Sequence, residues 1–382
     1  MKKKLKTPIC RVCSSPIVTP PVLTYYNMPR AAQHFPNAKD LVADKGSDLS
    51  LFECAECGLL QLTCKPVSYY REVIRASAFS SEMRIFRVNQ LGKWVKKYGL
   101  NNKRILEVGC GKGEYLNLFS GFNVNAVGLE FRSSALTYCK RNNLNALQGF
   151  LDKPTQQLPV HHFDGFVTFN FMEHWPKPVH TLRAIRNNLL PNGIGLIEVP
   201  NFNMILKESL YSEFISDHLS YFTTETLIFT LQSAGFEVLE IQSIWYDYIL
   251  SATVRKRKQI DLSPLLRKQE KIRQELNEFI TAFPLKSIAI WGAGHQALAT
   301  LALSDLGGSI RYIIDSATFK QGKFTPSTHF PVVSPEHLSV DPVNAIIVMA
   351  AGYSDEVVRF IREHLKLKIP VSILRASGLE SV

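Results

Sequence analysis

The chain has 382 residues, of which 46% are hydrophobic and 20% charged, with a net charge of +11. This length predicts two or three domains, and this balance of residues is typical of an ordinary soluble globular protein. No apolar run approaches the roughly 18 residues of a membrane span, and no signal core follows the basic residues 1–6, so a cytoplasmic protein is expected. The basic charge favours a phosphate-bearing substrate over nucleic acid, because no dense Lys/Arg run with interleaved aromatic residues is present.

Two Cys-x-x-Cys pairs stand in the N-terminal part, Cys10 with Cys13 and Cys54 with Cys57. In a cytosolic chain, four thiols in two such pairs predict a tetrahedral, structural zinc site rather than disulfides. Reduced free cysteines or a redox pair remain the alternatives, since the interval between the pairs exceeds the commonest zinc-ribbon spacing. Residues 1–75 are therefore predicted to form a small zinc-binding domain that depends on the ion to fold.

A strand-to-glycine turn at residues 104–113 is the most informative motif of the chain. The apolar strand runs into a Glu-x-Gly-x-Gly turn formed by Glu107, Gly109 and Gly111, with Cys110 between the glycines. Glycines let the backbone turn sharply at the carboxyl end of a strand and approach a ligand closely. A tight corner without a ligand is the alternative, and Cys110 is expected to be a small filler rather than a nucleophile.

Polar residues end the two strands predicted after this turn. The strand at residues 124–129 leads to Glu130, about 20 residues after the turn, the interval at which Rossmann-like folds place a carboxylate on a ribose. A two-oxygen acceptor suits two hydroxyl donors, although a solvated glutamate is the alternative. Phe131 could cover an adenine, and Asn170 ends the buried strand at residues 163–169, where such sheets bind ligands.

Together these motifs resemble class I S-adenosylmethionine-dependent methyltransferases. The turn and strand at residues 191–199 resemble the family's entry into its fifth strand, so the resemblance covers about residues 99–199. It implies a methyltransferase domain at residues 76–258 and S-adenosylmethionine as the cofactor. The implied cofactor-binding residues are Glu107, Gly109, Cys110, Gly111, Glu130, Phe131 and Asn170.

A second α/β pattern occupies the C-terminal part, residues 259–382. It has another strand-to-glycine turn at residues 287–294, a strand that ends in Asp315 and a buried strand at residues 345–350. A second cofactor site is the alternative to a domain that holds substrate or stabilises the first. The predicted fold class is α/β, a Rossmann-like methyltransferase sheet flanked by a zinc domain and a C-terminal Rossmann-like substrate-side domain. Helices are expected at residues 80–98, 114–120 and 263–283.

The order of these three parts resembles the sugar C-methyltransferases that modify carbon 3 of nucleotide-linked 4-ketohexoses. Asp315 followed by KQGKFTP at residues 320–326 resembles their C-terminal signature, and DHLSYF at residues 217–222 resembles their EHLSYF motif. The resemblance covers residues 10–363. It implies a nucleotide-diphosphate-sugar substrate and no nucleic-acid or membrane partner, and it leaves the oligomeric state open.

The chain departs from the family pattern close to the expected catalytic residues. Asp217 stands where the family usually has glutamate, and Ile215 stands where it often has tyrosine. A tyrosine-rich segment ahead of the first methyltransferase helix is also thinner, at residues 78–81. A relative that acts on a different sugar, or on a different atom, therefore stays open.

Carbon methylation next to a ketone requires a base and a group that holds the enolate oxygen. His218 is predicted to be that base, with Asp217 fixing its tautomer, and a structural histidine is the alternative. His174 is predicted to hold the keto oxygen, unless it only packs the cofactor. Glu173 is expected to be solvated or to face the cofactor.

Three other functions remain open on the sequence alone. One is a methyltransferase that acts on a hydroxyl or amine of a nucleotide sugar. Another is an NAD(P)-dependent oxidoreductase, although neither glycine turn has the third glycine of the dinucleotide fingerprint. The last is an inactive zinc-knuckle scaffold, which the intact His218 and Glu107 disfavour.

Overall fold

The structure is a computed structural model that describes residues 7–33, 35–72, 80–306 and 308–382. It divides into two compact units, Met1–Lys258 and Gln259–Val382. The basic start at residues 1–6, the boundary predicted between residues 75 and 76, and residues 78 and 79 of the tyrosine-poor segment lie outside the described residues. The three-domain division stays a prediction. No described helix combines the length and the apolar character needed to cross a bilayer.

A seven-stranded sheet forms the centre of the first unit, in the order β10-β11-β8-β7-β4-β5-β6. Five neighbours, from β6 to β8, pair in parallel, and β11 is antiparallel to both of its neighbours. The strands are β4 (Arg104–Val108), β5 (Asn125–Glu130), β6 (Ala146–Gln148), β7 (Phe163–Phe169), β8 (Leu189–Pro200), β10 (Phe236–Ile244) and β11 (Ile249–Lys256).

The central strands of this sheet are almost wholly apolar, and helices pack on them and keep them from water. These helices are α1 (Ser81–Lys97), α2 (Ser133–Arg141), α3 (Pro178–Asn187) and α5 (Thr224–Ser233), whereas α4 (Phe202–Lys207) packs with Leu49, Leu51 and Leu62 of the N-terminal segment. Ser80 caps α1, since its side chain accepts a hydrogen bond from the Met83 amide. The Rossmann-like α/β class predicted from the sequence is confirmed.

The prediction of an α-helix at residues 114–120 is wrong in the type of helix. A 3₁₀ helix, Leu116–Gly121, stands there instead. Gly113 before it has φ +86°, a left-handed conformation that interrupts an α-helix, and Gly121 ends it after six residues. Two good helix breakers close together outweigh the apolar periodicity between them.

The N-terminal segment contributes a four-stranded antiparallel sheet, β1-β2-β3-β9. Its strands are β1 (Leu23–Met28), β2 (Ser47–Glu53), β3 (Leu60–Leu62) and β9 (Ser220–Tyr221). The last strand follows directly on the segment that carries His218. Cys10 and Leu59 also belong to the same buried core as Phe166 and Trp175, so the N-terminal residues pack into the methyltransferase core.

The second unit has its own six-stranded sheet, in the order β14-β13-β12-β15-β16-β17. All neighbours pair in parallel except β16 and β17. The strands are β12 (Ile288–Trp291), β13 (Ile310–Ile314), β14 (Val332–Val333), β15 (Ala345–Val348), β16 (Val371–Leu374) and β17 (Leu379–Ser381), with helices α6 (Ser263–Thr281), α7 (His295–Ser304) and α8 (Ser354–Arg359). The sequence therefore predicted the α/β character of this unit correctly.

Candidate active site

The glycine turn lies at the carboxyl end of β4, where parallel sheets bind ligands. Gly109 has φ +78° and Gly111 has φ +57°, so both occupy the left-handed region that favours glycine. The amides of Gly109 and Cys110 both donate to the carbonyl of Leu129, which ties the turn to β5. Glu107, just before the turn, is buried, and so is Cys110.

Glu130 holds the turn in place from the end of β5. One of its oxygens accepts a hydrogen bond from the Gly111 amide and the other from the Arg132 amide, each at 2.9 Å. Because each carboxylate oxygen has two acceptor sites, both oxygens keep capacity for a further donor. The residue therefore both orders the glycine turn and remains able to accept from ribose hydroxyls.

A narrow pocket lies against this turn. Glu130, Phe131, Phe150 and Phe171 are among its lining residues. The Arg71 guanidinium also lines it, 5.5 Å from the centre of the Phe131 ring. The apolar rings with one carboxylate give the cavity the composition expected for an adenosine.

Asn170 and Phe171 begin the loop that follows β7. Among the described residues, the buried Asn170 Oδ1 has no hydrogen-bond partner. A Cβ added to Gly109 would lie only 2.5 Å from the Phe171 ring, so this ring packs directly over the turn. A buried acceptor and a glycine cradle fit the polar amino-acid end of S-adenosylmethionine.

Glu173, His174 and His218 form the histidine cluster, in which one ligand atom from each side chain lies within 4.8 Å of the others. The two imidazole ring centres are 4.8 Å apart, and Glu173 Oε1 lies 3.8 Å from His174 Nε2. His174 and Phe171 have ring centres 6.4 Å apart, so one aromatic layer separates the cluster from the glycine turn. The structure thus brings together the two histidines predicted from the sequence.

Burial sets the protonation of this cluster. It lowers the pKa of His174, and it lowers the pKa of His218 well below the ordinary value with a further contribution from His174. It raises the pKa of Glu173 to about 8, so this carboxyl is protonated at neutral pH. The cluster therefore contains neutral imidazoles, which can accept protons or bind a metal ion.

Glu173 is not solvated, so the first of the two expectations for it is wrong, and the expectation that it faces the cofactor stays a prediction. Only 2% of its surface is accessible, and its backbone carbonyl accepts from the Leu219 amide at 2.8 Å. This contact crosses between distant parts of the chain, so local sequence could not show it. The adjacent Glu-His pair was the only available signal.

Asp217 contacts His174 through its backbone rather than through its carboxylate. The Asp217 carbonyl lies 2.8 Å from His174 Nδ1, which leaves His174 Nε2 on the side of Glu173. Asp217 Oδ1 accepts from the Ala32 amide at 2.9 Å. The carboxylate therefore anchors the N-terminal segment, and the hypothesis that it orients His218 has no contact to support it among the described residues.

The four predicted zinc ligands form a second constellation, here called the cysteine cluster: Cys10, Cys13, Cys54 and Cys57. The Sγ atoms of Cys10 and Cys57 are 3.6 Å apart, and those of Cys13 and Cys54 are 3.5 Å apart. Tetrahedral zinc with Zn–S bonds of about 2.3 Å requires sulfurs about 3.8 Å apart. The arrangement fits a four-thiolate zinc ion with no open position.

The structure also contains a buried ion pair between α1 and β8 that sequence reasoning missed. Arg87 Nη1 of α1 lies 2.5 Å from Glu198 Oε2 of β8, and neither side chain is exposed. Gln90 and Ser251 both donate to Glu198 Oε1. The sequence offered only an arginine on a helix and a glutamate in a strand, and neither pattern shows burial.

Comparison with known proteins gives two family matches. Residues 80–241 match a methyltransferase domain, and residues 262–368 match the C-methyltransferase C-terminal domain. The C-methyltransferase NovU of Streptomyces niveus is 22% identical, and the alignment covers 97% of each chain. The ubiquinone biosynthesis O-methyltransferase of Aeromonas salmonicida is 25% identical over 40% of this chain and 71% of its own.

Among solved structures, a SAM-dependent methyltransferase from Archaeoglobus fulgidus matches 45% of this chain and 94% of its own. Its identity is 17% and its TM-score is 0.36. The family matches and the glycine-turn geometry give one conclusion, that the protein is an S-adenosylmethionine-dependent methyltransferase. They set aside the oxidoreductase alternative.

Proposed function

We propose that the protein methylates carbon 3 of a nucleotide-linked 4-ketohexose, with His218 as the base that removes the carbon-bound proton. The observation that carries this proposal is the histidine cluster, one aromatic layer from the glycine turn. The match of residues 262–368 to a C-methyltransferase domain supports carbon as the acceptor.

The cofactor supplies an electrophilic methyl group when it is bound. Gly109, Gly111, Glu130 and Asn170 would hold it, and Phe171 lies between the glycine turn and the histidine cluster. Asn170 Oδ1 is a buried acceptor that a bound ammonium group would satisfy.

Within the cluster, the neutral His218 receives the proton from the carbon next to the ketone. His218 keeps part of its surface exposed while His174 is buried, so His218 is the imidazole that a substrate reaches first. The imidazolium that results lies beside the enolate and balances its charge. The protonated Glu173 adds no negative charge that would oppose enolate formation.

His174 is proposed to hold the enolate oxygen through Nε2 only when the ring carries a second proton, because the Nδ1 hydrogen is donated to the Asp217 carbonyl and Nε2 of the neutral ring is an acceptor. Its Nδ1 is fixed at 2.8 Å from the Asp217 carbonyl, which holds the ring plane in position. We also propose that the cysteine cluster binds one structural zinc ion. The net charge of +11 supports a diphosphate-bearing substrate.

Deuterium exchange tests the base separately from methyl transfer. Thymidine- and guanosine-diphosphate-linked 4-keto-6-deoxyhexoses are incubated in heavy water with S-adenosylhomocysteine bound to the enzyme. The wild type should introduce deuterium at carbon 3, and His218→Ala should slow this exchange by about 10²–10⁴-fold. His174→Ala should lose rate and keep cofactor affinity. Exchange by His218→Ala at the wild-type rate would place the base elsewhere.

An O- or N-methyltransferase is the second candidate, because the departures at Asp217 and Ile215 stand next to His218. In that case His218 would deprotonate a hydroxyl or an amine. No carbon-bound deuterium would then enter the substrate, whereas methyl transfer would still depend on His218.

A further inference from the structure

We infer that Arg11 is a positioning residue, which couples the cysteine cluster to both halves of the histidine cluster. Arg11 stands between Cys10 and Cys13, so its place in the chain is fixed by two proposed zinc ligands. The inference deepens the proposed function and rests on it for its kinetic part.

The Arg11 guanidinium binds three backbone carbonyls from two segments of the chain, residues 62–64 and Pro176. Nε donates to Leu62 at 3.0 Å, Nη2 to Cys64 at 2.7 Å and Nη1 to Pro176 at 3.2 Å. A planar fork with five donors can bridge three carbonyls at fixed angles, which a lysine ammonium cannot reproduce.

One branch of this fork leads to His218. Leu62 lies in β3, and its amide donates to the Leu219 carbonyl at 3.0 Å. The residues that follow, Ser220 and Tyr221, pair with β3 as strand β9. The position of His218 along the sheet therefore depends on where Arg11 holds β3.

The other branch leads to His174. Pro176 lies two residues after His174, and its carbonyl has Arg11 as its partner. Leu219 joins the two branches directly, because its amide donates to the Glu173 carbonyl at 2.8 Å. Arg11 thus fixes the two loops of the histidine cluster relative to each other.

Gln61 connects Arg11 to the cysteine cluster. Its Oε1 accepts from the Arg11 amide at 2.9 Å, and its Nε2 donates to Cys10 Sγ at 3.3 Å. Gln61 is fully buried, so this polar chain is shielded from water. A displacement at the cysteine cluster is therefore transmitted to the histidines through directed hydrogen bonds.

The test compares Arg11→Met, which keeps the length of the side chain and removes its donors, with Arg183→Met. Arg183 also donates to a distant backbone carbonyl, that of Ser233, but on the exposed side of α3. In Arg11→Met we expect kcat to fall by about 100-fold, the cost of misplacing reacting groups by about 1 Å. Zinc content and S-adenosylhomocysteine affinity should stay at the wild-type values, and Arg183→Met should behave as the wild type.

Side-chain ¹⁵N spectra of the histidines provide a readout that needs no substrate. Arg11→Met should shift the ring signals of His174 and His218, and Arg183→Met should not. If the wild type proves inactive on 4-ketohexose nucleotides, the proposed function fails while this measurement still decides the role of Arg11.

Three results would overturn the inference. They are wild-type kcat with unshifted histidine signals, loss of zinc in Arg11→Met, or parallel loss of cofactor affinity and activity. If Arg11→Met does not fold, Arg11→Lys tests the positioning role instead. It retains the charge without the fork, so reduced kcat with full zinc content supports positioning, and wild-type kcat contradicts it.

Discussion

Glu173 gives the sharpest prediction about the histidine cluster, through the pH dependence of stability. Its pKa is raised to about 8 by burial, whereas the unfolded chain releases this proton near the ordinary value of 4.5. A group with a raised folded pKa stabilises the protein fully below its unfolded pKa, and this contribution is lost as pH rises through the folded pKa.

The loss of the stabilisation by Glu173 can be measured separately between about pH 6.5 and 8. The pKa values of His174 and His218 are lowered from an ordinary value of 6.5, so their contributions change mainly below this value. One pH unit corresponds to about 1.4 kcal/mol for one proton, so Glu173 should lower the free energy of unfolding by about 1–2 kcal/mol across the window. Glu173→Gln should remove this slope, because glutamine carries no titrating proton.

Urea unfolding followed by circular dichroism at both pH values measures the effect. The matched control is Glu225→Gln, which changes an exposed glutamate in the first turn of α5. The control should keep the wild-type slope. The reasoning is refuted if Glu173→Gln and the wild type lose the same stability between the two pH values.

Three further predictions concern the cofactor turn, the metal and the buried ion pair. Glu130→Ala should weaken S-adenosylhomocysteine binding by about 1–3 kcal/mol in calorimetry, since two amides and the ribose lose an acceptor; unchanged affinity would contradict the site. Cys54→Ser should lose the zinc ion that metal analysis finds in the wild type, about one per chain, and with it cooperative folding of the N-terminal segment. Metal-free wild type from a chelator-free preparation would exclude the zinc site. Glu198→Gln should lower the free energy of unfolding by about 3–5 kcal/mol, because Arg87 is left as a buried charge; a loss below about 1 kcal/mol would show that the pair is dispensable.

Local patterns predicted the geometry of the glycine turn and the grouping of the four cysteines well. The glycine spacing at Gly109 and Gly111 requires positive φ, and both residues adopt it. The two Cys-x-x-Cys pairs predicted a cluster of four sulfurs, and the four sulfurs lie together. Such signals are readable because the chemistry and the spacing occur within a few residues.

The features that the sequence did not predict depend on contacts between residues that are distant in the chain. Glu173 is buried, and its backbone carbonyl accepts a hydrogen bond from Leu219, which is distant in sequence. The carbonyls that the Arg11 guanidinium binds come from two distant segments, and no periodicity of the chain marks them. The strand β9 has only two residues, too few for a strand pattern, yet it joins the cysteine-bearing sheet to His218.

The position of the transferred methyl group tests the central claim most directly. Wild-type enzyme is given S-adenosylmethionine labelled with ¹³C in the methyl group and the two 4-keto-6-deoxyhexose nucleotides, and the product is analysed by carbon–proton correlation NMR. We predict a labelled methyl group bonded to carbon 3, and its absence with His218→Ala. A labelled methyl group on oxygen or nitrogen, or no labelled product from either nucleotide, would contradict carbon methylation of these sugars.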